Sequence, residues 1–187
     1  MKKYIQDYAM LFTIAGILVF LDQWTKTLVR TYVPVGTVYR PDLWISQYAR
    51  ILNWKNTGAA FGLFQNMSDV FTVLSFIVSG VILYYFPQVP RREWYLRLAM
   101  CLQLGGAVGN LIDRLARGHV TDFISVGNFP VFNVADSCIS VGVAVLVIGM
   151  WWQDRKRKPS EGSPGAEETP PAQESKPPPL SRESQGE

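Results

Sequence analysis

The stretch from Phe123 to Gln153 contains a single charged residue, Asp136. So long an apolar run leaves a chain few ways to fold. Three more blocks share the property: Tyr8–Leu21, which can run on past Asp22 to Leu28, Val70–Val89, and Leu98–Ile112, the last flanked by Arg97 and Asp113. A helix that crosses a bilayer needs roughly 20 mostly apolar residues. The second and fourth blocks meet that length alone, and the first and third meet it by taking in polar residues near one end. A soluble bundle would need a charged face along each helix, and these blocks are apolar all round. The chain therefore reads as an all-α membrane protein with four transmembrane helices. The first block is not followed by a small-residue cleavage site, so it is expected to remain as a span. Trp24, Trp94, Trp151 and Trp152 stand near the span ends, where amphipathic rings favour the interface.

Lysine and arginine near the span ends set the orientation. Lys2 and Lys3 precede span one, Arg91, Arg92 and Arg97 lie between spans two and three, and Arg155–Lys158 follow span four. Both termini are thus expected in the cytoplasm. The long outer loop from Arg30 to Asp69 contains Val38-Tyr39, Leu43-Trp44-Ile45 and Tyr48–Trp54, all rich in aromatic and β-branched residues. Short strands are expected there, making a small β-containing extracytoplasmic platform. The apolar segment Gly58–Phe64 is expected to rest on the bilayer surface. Residues 1–158 form the membrane domain. Residues 159–187 hold two basic residues against six glutamates, a net −4 that leaves +7 on the rest of a chain whose total is +3. Such a polar, Pro-rich tail has too little apolar surface to fold and is expected to be disordered.

Polar residues at span depth are costly and mark function. Asp22 and Lys26 lie at the end of span one, Asn110, Asp113 and Arg114 at the end of span three, and Asn133 and Asp136 at the start of span four. By the topology all belong to the outer half of the membrane. With span four starting near Pro130, Asp136 would lie about 9 Å down its helix, and Asp122 is the nearest free carboxylate able to meet it. Two carboxylates that share a site hold one proton between them. One can then take a proton from water while the other polarises a carbonyl. Asp113 and Arg114 read as a structural ion pair, Asp22 with Lys26 as an architectural one, and Gly105 and Gly109 as a helix-packing pair. His119 is expected at the surface, and Cys101 and Cys138 as small core residues. One histidine gives no zinc site. Two other readings use the same residues: a serine peptidase built on Ser137 or Ser140 with His119, and a proton-coupled transporter relaying through Asp22, Asp113 and Asp136.

Leu21-Asp22-Gln23-Trp24-Thr25-Lys26, Asn56-Thr57-Gly58-Ala59-Ala60-Phe61-Gly62, Gly105–Arg114, Gly118-His119-Val120-Thr121-Asp122-Phe123-Ile124 and Phe132-Asn133-Val134-Ala135-Asp136-Ser137 occur in that order. Together they resemble the lipoprotein signal peptidase (signal peptidase II) family. The resemblance implies a bacterial cytoplasmic-membrane aspartic endopeptidase that removes the signal peptide from prolipoproteins, cutting before the diacylglyceryl-modified cysteine. It places Asp122 and Asp136 on the catalytic positions. Asn56, Asn110, Arg114 and Asn133 fall on positions that support substrate or inhibitor binding, and Asp22, Lys26 and Asp113 on positions that hold the fold. It also implies an active site toward the outer face, membrane lipid as a partner, and inhibition by the cyclic peptide globomycin. No cofactor, metal or nucleic-acid partner is expected, and one chain holds all the mechanism needs, as a monomer.

Overall fold

The computed structural model describes residues 2–40, 44–58 and 64–157. The tail expected to be disordered, and residues 59–63 of the expected surface segment, lie outside them. Among the described residues, four helices are long and apolar enough to cross a membrane: α1 (Lys2–Tyr32), α2 (Ser68–Tyr85, extended by a 3-10 turn at Phe86–Gln88), α3 (Trp94–Arg117) and α4 (Val134–Arg157). The outer faces of α1, α2 and α4 carry exposed large apolar side chains, among them Phe12, Phe20, Phe76, Ile77, Val147 and Ile148. Surfaces so apolar suit lipid as the surrounding solvent.

Helix α3 is the core of the bundle. Its apolar window is 61% buried, against 11–22% for the other three, and it packs on α1, α2 and α4. Glycines make that central position possible. A Cβ on Gly105 would meet Leu18 of α1, one on Gly109 would meet Asp22 and Ala135, and one on Gly106 would stand 2.5 Å from the Ala135 carbonyl oxygen. Between helices in lipid, small residues permit the close backbone approach that substitutes for hydrophobic driving force. An apolar cluster of Leu11, Ala15, Ile82, Phe86, Cys101 and Leu104 locks α1, α2 and α3 together. The far end of the bundle is clamped by ions: Asp7 of α1 meets Arg97 of α3 at 2.7 Å and Arg91 of the α2–α3 turn at 3.0 Å. Tyr95 also donates a hydrogen bond to Gln153 there. The start of α1, the α2–α3 turn and the end of α4 therefore share one end.

At the other end sits a three-stranded antiparallel sheet of β1 (Val38–Tyr39), β2 (Ala49–Asn56) and β3 (Val120–Val126), in the order β1-β2-β3. Two of the expected strand segments form strands. Of the third, Leu43-Trp44-Ile45, Leu43 lies outside the described residues, and Trp44 and Ile45 belong to a 3-10 turn, Trp44–Gln47. The β1 ladder stops at Tyr39. An irregularity between Ile51 and Trp54 turns Asn53 inward. Its side-chain amide donates to the Val33 carbonyl at 2.7 Å, tying β2 to the end of α1. Val29 of α1 and Val33 just after that helix pack with Phe123 of β3. At about 1.5 Å per residue, the 31 residues of α1 outreach a hydrocarbon core of about 30 Å, so this helix supports the sheet from within the membrane.

One expectation needs correction. Span four starts at Val134 rather than near Pro130, after the strand Val120–Val126, for which the sequence had suggested no structure. Phe132 is taken up by the sheet instead: Phe123 and Ile124 donate to its carbonyl, and its own N–H returns to Ile124.

Gly106→Ala should lower stability by about 1–3 kcal/mol, because α4 must retreat from the new methyl group. Thermal or denaturant unfolding of the detergent-solubilised protein measures this.

Candidate active site

Asp122 reaches the site because of how α3 ends. Gly118 adopts the left-handed conformation (φ 73°), and its N–H bonds the Arg114 carbonyl, a C-terminal cap that only glycine accepts cheaply. The chain thus leaves α3 and enters β3 within two residues. Asp113, four residues before the end of α3, accepts the Thr121 N–H at 3.0 Å and fixes the strand just before Asp122. After β3 the chain reverses at Gly127 (φ 51°) and pairs back through Phe132, which returns Asn133 to the side of Asp122.

Asn133 is the N-cap of α4. Its side-chain oxygen accepts the Asp136 N–H at 2.9 Å, and the Asp136 carboxylate accepts the Asn133 N–H at 3.3 Å. This reciprocal pair is a capping box. Asp22 of α1 takes a further free donor of that helix end, the Ala135 N–H, at 2.9 Å. Asp136 therefore stands in the first turn of α4, held by the helix terminus itself, and not about 9 Å down the helix as the apolar run suggested.

The two aspartates meet across a pair of amides. Asn133 Nδ2 donates to Asp122 Oδ1 at 2.7 Å, and Asn110 Nδ2 donates to Asp136 Oδ1 at 2.8 Å. The amides also join each other, Asn133 Nδ2 to Asn110 Oδ1 at 3.2 Å. Asn56, the last residue of β2, donates to the second oxygen of Asp122 at 2.8 Å. Burial pushes the Asp122 carboxyl up, and the neighbouring Asp136 charge adds to the rise. The amide donors Asn56 and Asn133 and the more distant Lys26 act the other way, and the balance leaves Asp122 at about 7. A carboxyl placed there can hold or release a proton near neutrality.

Both carboxylates line a cleft of about 580 Å³. Its walls are Phe71 of α2, Ile139 and Val141 of α4, and the Phe129–Phe132 segment, with Asn56, Asn110 and Arg114 at the polar end. Arg114 lies over the Phe71 ring at 5.3 Å. The expected Asp113–Arg114 pair does not form. Asp113 pairs instead with Arg117 at 3.2 Å and with Arg30 and Lys26, each at 3.4 Å. Successive helix residues point about 100° apart, so Asp113 faces α1 and β3 while Arg114 faces the cleft. The expected Asp22–Lys26 pair does form, at 2.8 Å and fully buried.

The nine residues given site or supporting roles from the sequence gather at this end of the bundle. Phe71, Phe129 and Phe132 were not among them, since apolar wall residues give no sequence signal inside apolar runs. The serine-peptidase reading gains no support: Ser137 Oγ donates to the Asn133 carbonyl, the His119 ring meets the Arg117 carbonyl, and His119 does not line the cleft that Ser137 and Ser140 line. Cys101 and Cys138 are buried and free.

Comparison with known proteins agrees with this arrangement. A family model described as signal peptidase (SPase) II matches residues 14–152. The lipoprotein signal peptidase of Shouchella clausii (strain KSM-K16) is 41% identical over 152 residues, covering 81% of this chain and 99% of that protein. The lipoprotein signal peptidase of Halalkalibacterium halodurans is 36% identical, covering 79% and 95%. A solved bacterial membrane enzyme superposes with a TM-score of 0.74 at 28% identity, covering 83% of this chain and 95% of its own. With the family match spanning the four helices and the sheet between them, the chain belongs to the signal peptidase II family, the membrane peptidases that cleave the signal peptides of prolipoproteins.

Proposed function

We propose that this peptidase is of the aspartic type, with Asp122 and Asp136 as its catalytic pair. The observation that carries the reading is the convergence of two carboxylates, one from β3 and one from α4, on the joined amides of Asn110 and Asn133 in the wall of one cleft. In the reactive state the pair shares one proton. The ionised carboxylate draws a proton from a water molecule as the water oxygen attacks the scissile carbonyl carbon. The protonated carboxyl donates its proton to the carbonyl oxygen. When the tetrahedral species collapses, the proton taken from water passes to the departing nitrogen and the C–N bond breaks. The products are the signal peptide's free acid and an amine on the mature protein, and the pair again shares one proton.

The same reading assigns the supporting groups. Asn56, Asn110 and Asn133 hold the carboxylates by donating to them. Arg114, facing the cleft without a carboxylate partner of its own among the ion pairs of the described residues, offers N–H donors to substrate backbone carbonyls. The apolar walls from Phe71 and from Ile139 and Val141 accept the signal helix and the diacylglyceryl group of the cysteine. The cyclic peptide globomycin would occupy this cleft as an inhibitor, and one chain acts as a monomer. Both termini lie in the cytoplasm and the dyad toward the outer face, since Lys2, Lys3, Arg91, Arg92 and Arg155 collect at the end of the bundle opposite the sheet.

Asp122→Asn and Asp136→Asn should each lower cleavage of a diacylglyceryl-modified prolipoprotein by about 10²–10⁴-fold while the protein stays folded. Retained cleavage in either variant would remove that aspartate from the mechanism, and equal cleavage of the unlipidated precursor would remove the lipid from recognition. The pH dependence follows from the Asp122 value. Below about 7 the pair keeps its shared proton, and above it the proton is lost, so kcat/KM should fall as pH rises through that point. Orientation is checked by thiol labelling of intact cells with a membrane-impermeant reagent. Ser46→Cys should label and Arg92→Cys should not, against a low background from the buried native cysteines.

A further inference from the structure

Lys26 is fully buried, with its ammonium among three acceptors: Asp22 Oδ2 at 2.8 Å, Asn110 Oδ1 at 2.9 Å and Asp113 Oδ2 at 3.4 Å. An ammonium has three N–H donors, so one group can serve all three. Each of these partners in turn holds one part of the aspartate pair. Asp22 caps the Ala135 N–H, one residue before Asp136. Asn110 donates to Asp136 itself. Asp113 accepts the Thr121 N–H, one residue before Asp122. The bond to Asn110 also settles which way its amide points. With Lys26 and Asn133 both donating to its oxygen, its nitrogen must face Asp136. A flipped amide would set NH2 against the ammonium and an oxygen against a carboxylate.

From this geometry we infer that Lys26 is the positioning residue of the aspartate pair, orienting Asn110 and registering the two carboxylates while supplying the positive charge that balances them. The inference rests on the aspartic reading above and deepens it. The charged groups around Lys26 are Asp22 and Arg30 on its own helix, Asp113, Arg114 and Arg117 on α3, Asp122 on β3 and Asp136 on α4. Arg30 and Arg117 are taken up by Asp113, and Arg114 faces the cleft, which leaves Lys26 as the buried cation joined to the amide that holds Asp136. Without its charge, Asp122 should hold its proton to higher pH, since Lys26 is one of the groups that draw that value down.

The test uses the full-length enzyme in lipid nanodiscs with diacylglyceryl-modified prolipoprotein as substrate. Lys26→Met is measured beside Lys26→Met/Asp22→Asn, whose amide oxygen can still cap Ala135 and which leaves no orphaned charge on α1. Expected for folded protein is a kcat at least about tenfold lower, as misplacement of catalytic groups by fractions of an ångström produces, with KM within about twofold. In the single variant the alkaline limb of kcat/KM should move to higher pH. Wild-type kcat with an unmoved limb in the folded variants would overturn the inference. So would loss of folding in both, which would assign Lys26 to the fold alone. Asp122→Asn is assayed alongside to separate the two proposals. If it still cleaves, the aspartic reading fails; if it is inactive while the folded Lys26 variants are normal, only the role of Lys26 fails.

Discussion

Everything at the catalytic end depends on how the first turn of α4 is satisfied. A helix that starts beside the bilayer carries N–H groups with no partner inside the helix, and at such a site each unsatisfied donor is costly. Here Asn133 caps Asp136, Asp136 returns the bond to Asn133, and Asp22 takes Ala135 from a different helix. The carboxylate assigned to catalysis thus also helps to build the helix end that holds it. That dual use places a carboxylate at membrane depth in the one part of an α-helix whose dipole favours negative charge.

The same economy runs through the rest of the site. Asp113 ends α3 as an acceptor for the strand that carries Asp122, and it is neutralised by Arg30, Arg117 and Lys26. The glycine-lined face of α3 lets α1 and α4 come near enough for Asp22 to reach the α4 terminus. A bulkier α3 would push that carboxylate out of hydrogen-bond range, so packing and chemistry are coupled through backbone separation. The cleft has the opposite character on its remaining walls. It opens between α2 and α4, which line it with apolar residues. In the proposed reading, selection of substrate by the apolar walls and hydrolysis by the polar end are separate tasks of adjacent surfaces.

Much of this was legible in the chain itself. The apolar runs announced four spans because crossing a bilayer sets a length that few other structures require. The rarity of charge inside those runs made Asp22, Lys26, Asn110, Asp113, Asn133 and Asp136 conspicuous, since each is expensive where it stands. Gly105 and Gly109 announced close packing, and the ordered motifs identified the family. What misled was the start of span four. The chain before Val134 is a strand and its return, so Asp136 stands in the first turn of α4 rather than about 9 Å down it.

The sequence alone therefore determined which residues had to be explained and that they would gather at one end of the bundle, because burial cost and span length are local properties of composition. Only the tertiary structure decided their partners. Asp113 and Arg114 are neighbours in the chain and face different surroundings, while Asp22 and Ala135 lie 113 residues apart and share a hydrogen bond. Such pairings follow from helix rotation, strand register and the closeness of backbones. Those are set by all the packing at once, and no single segment of the chain records them.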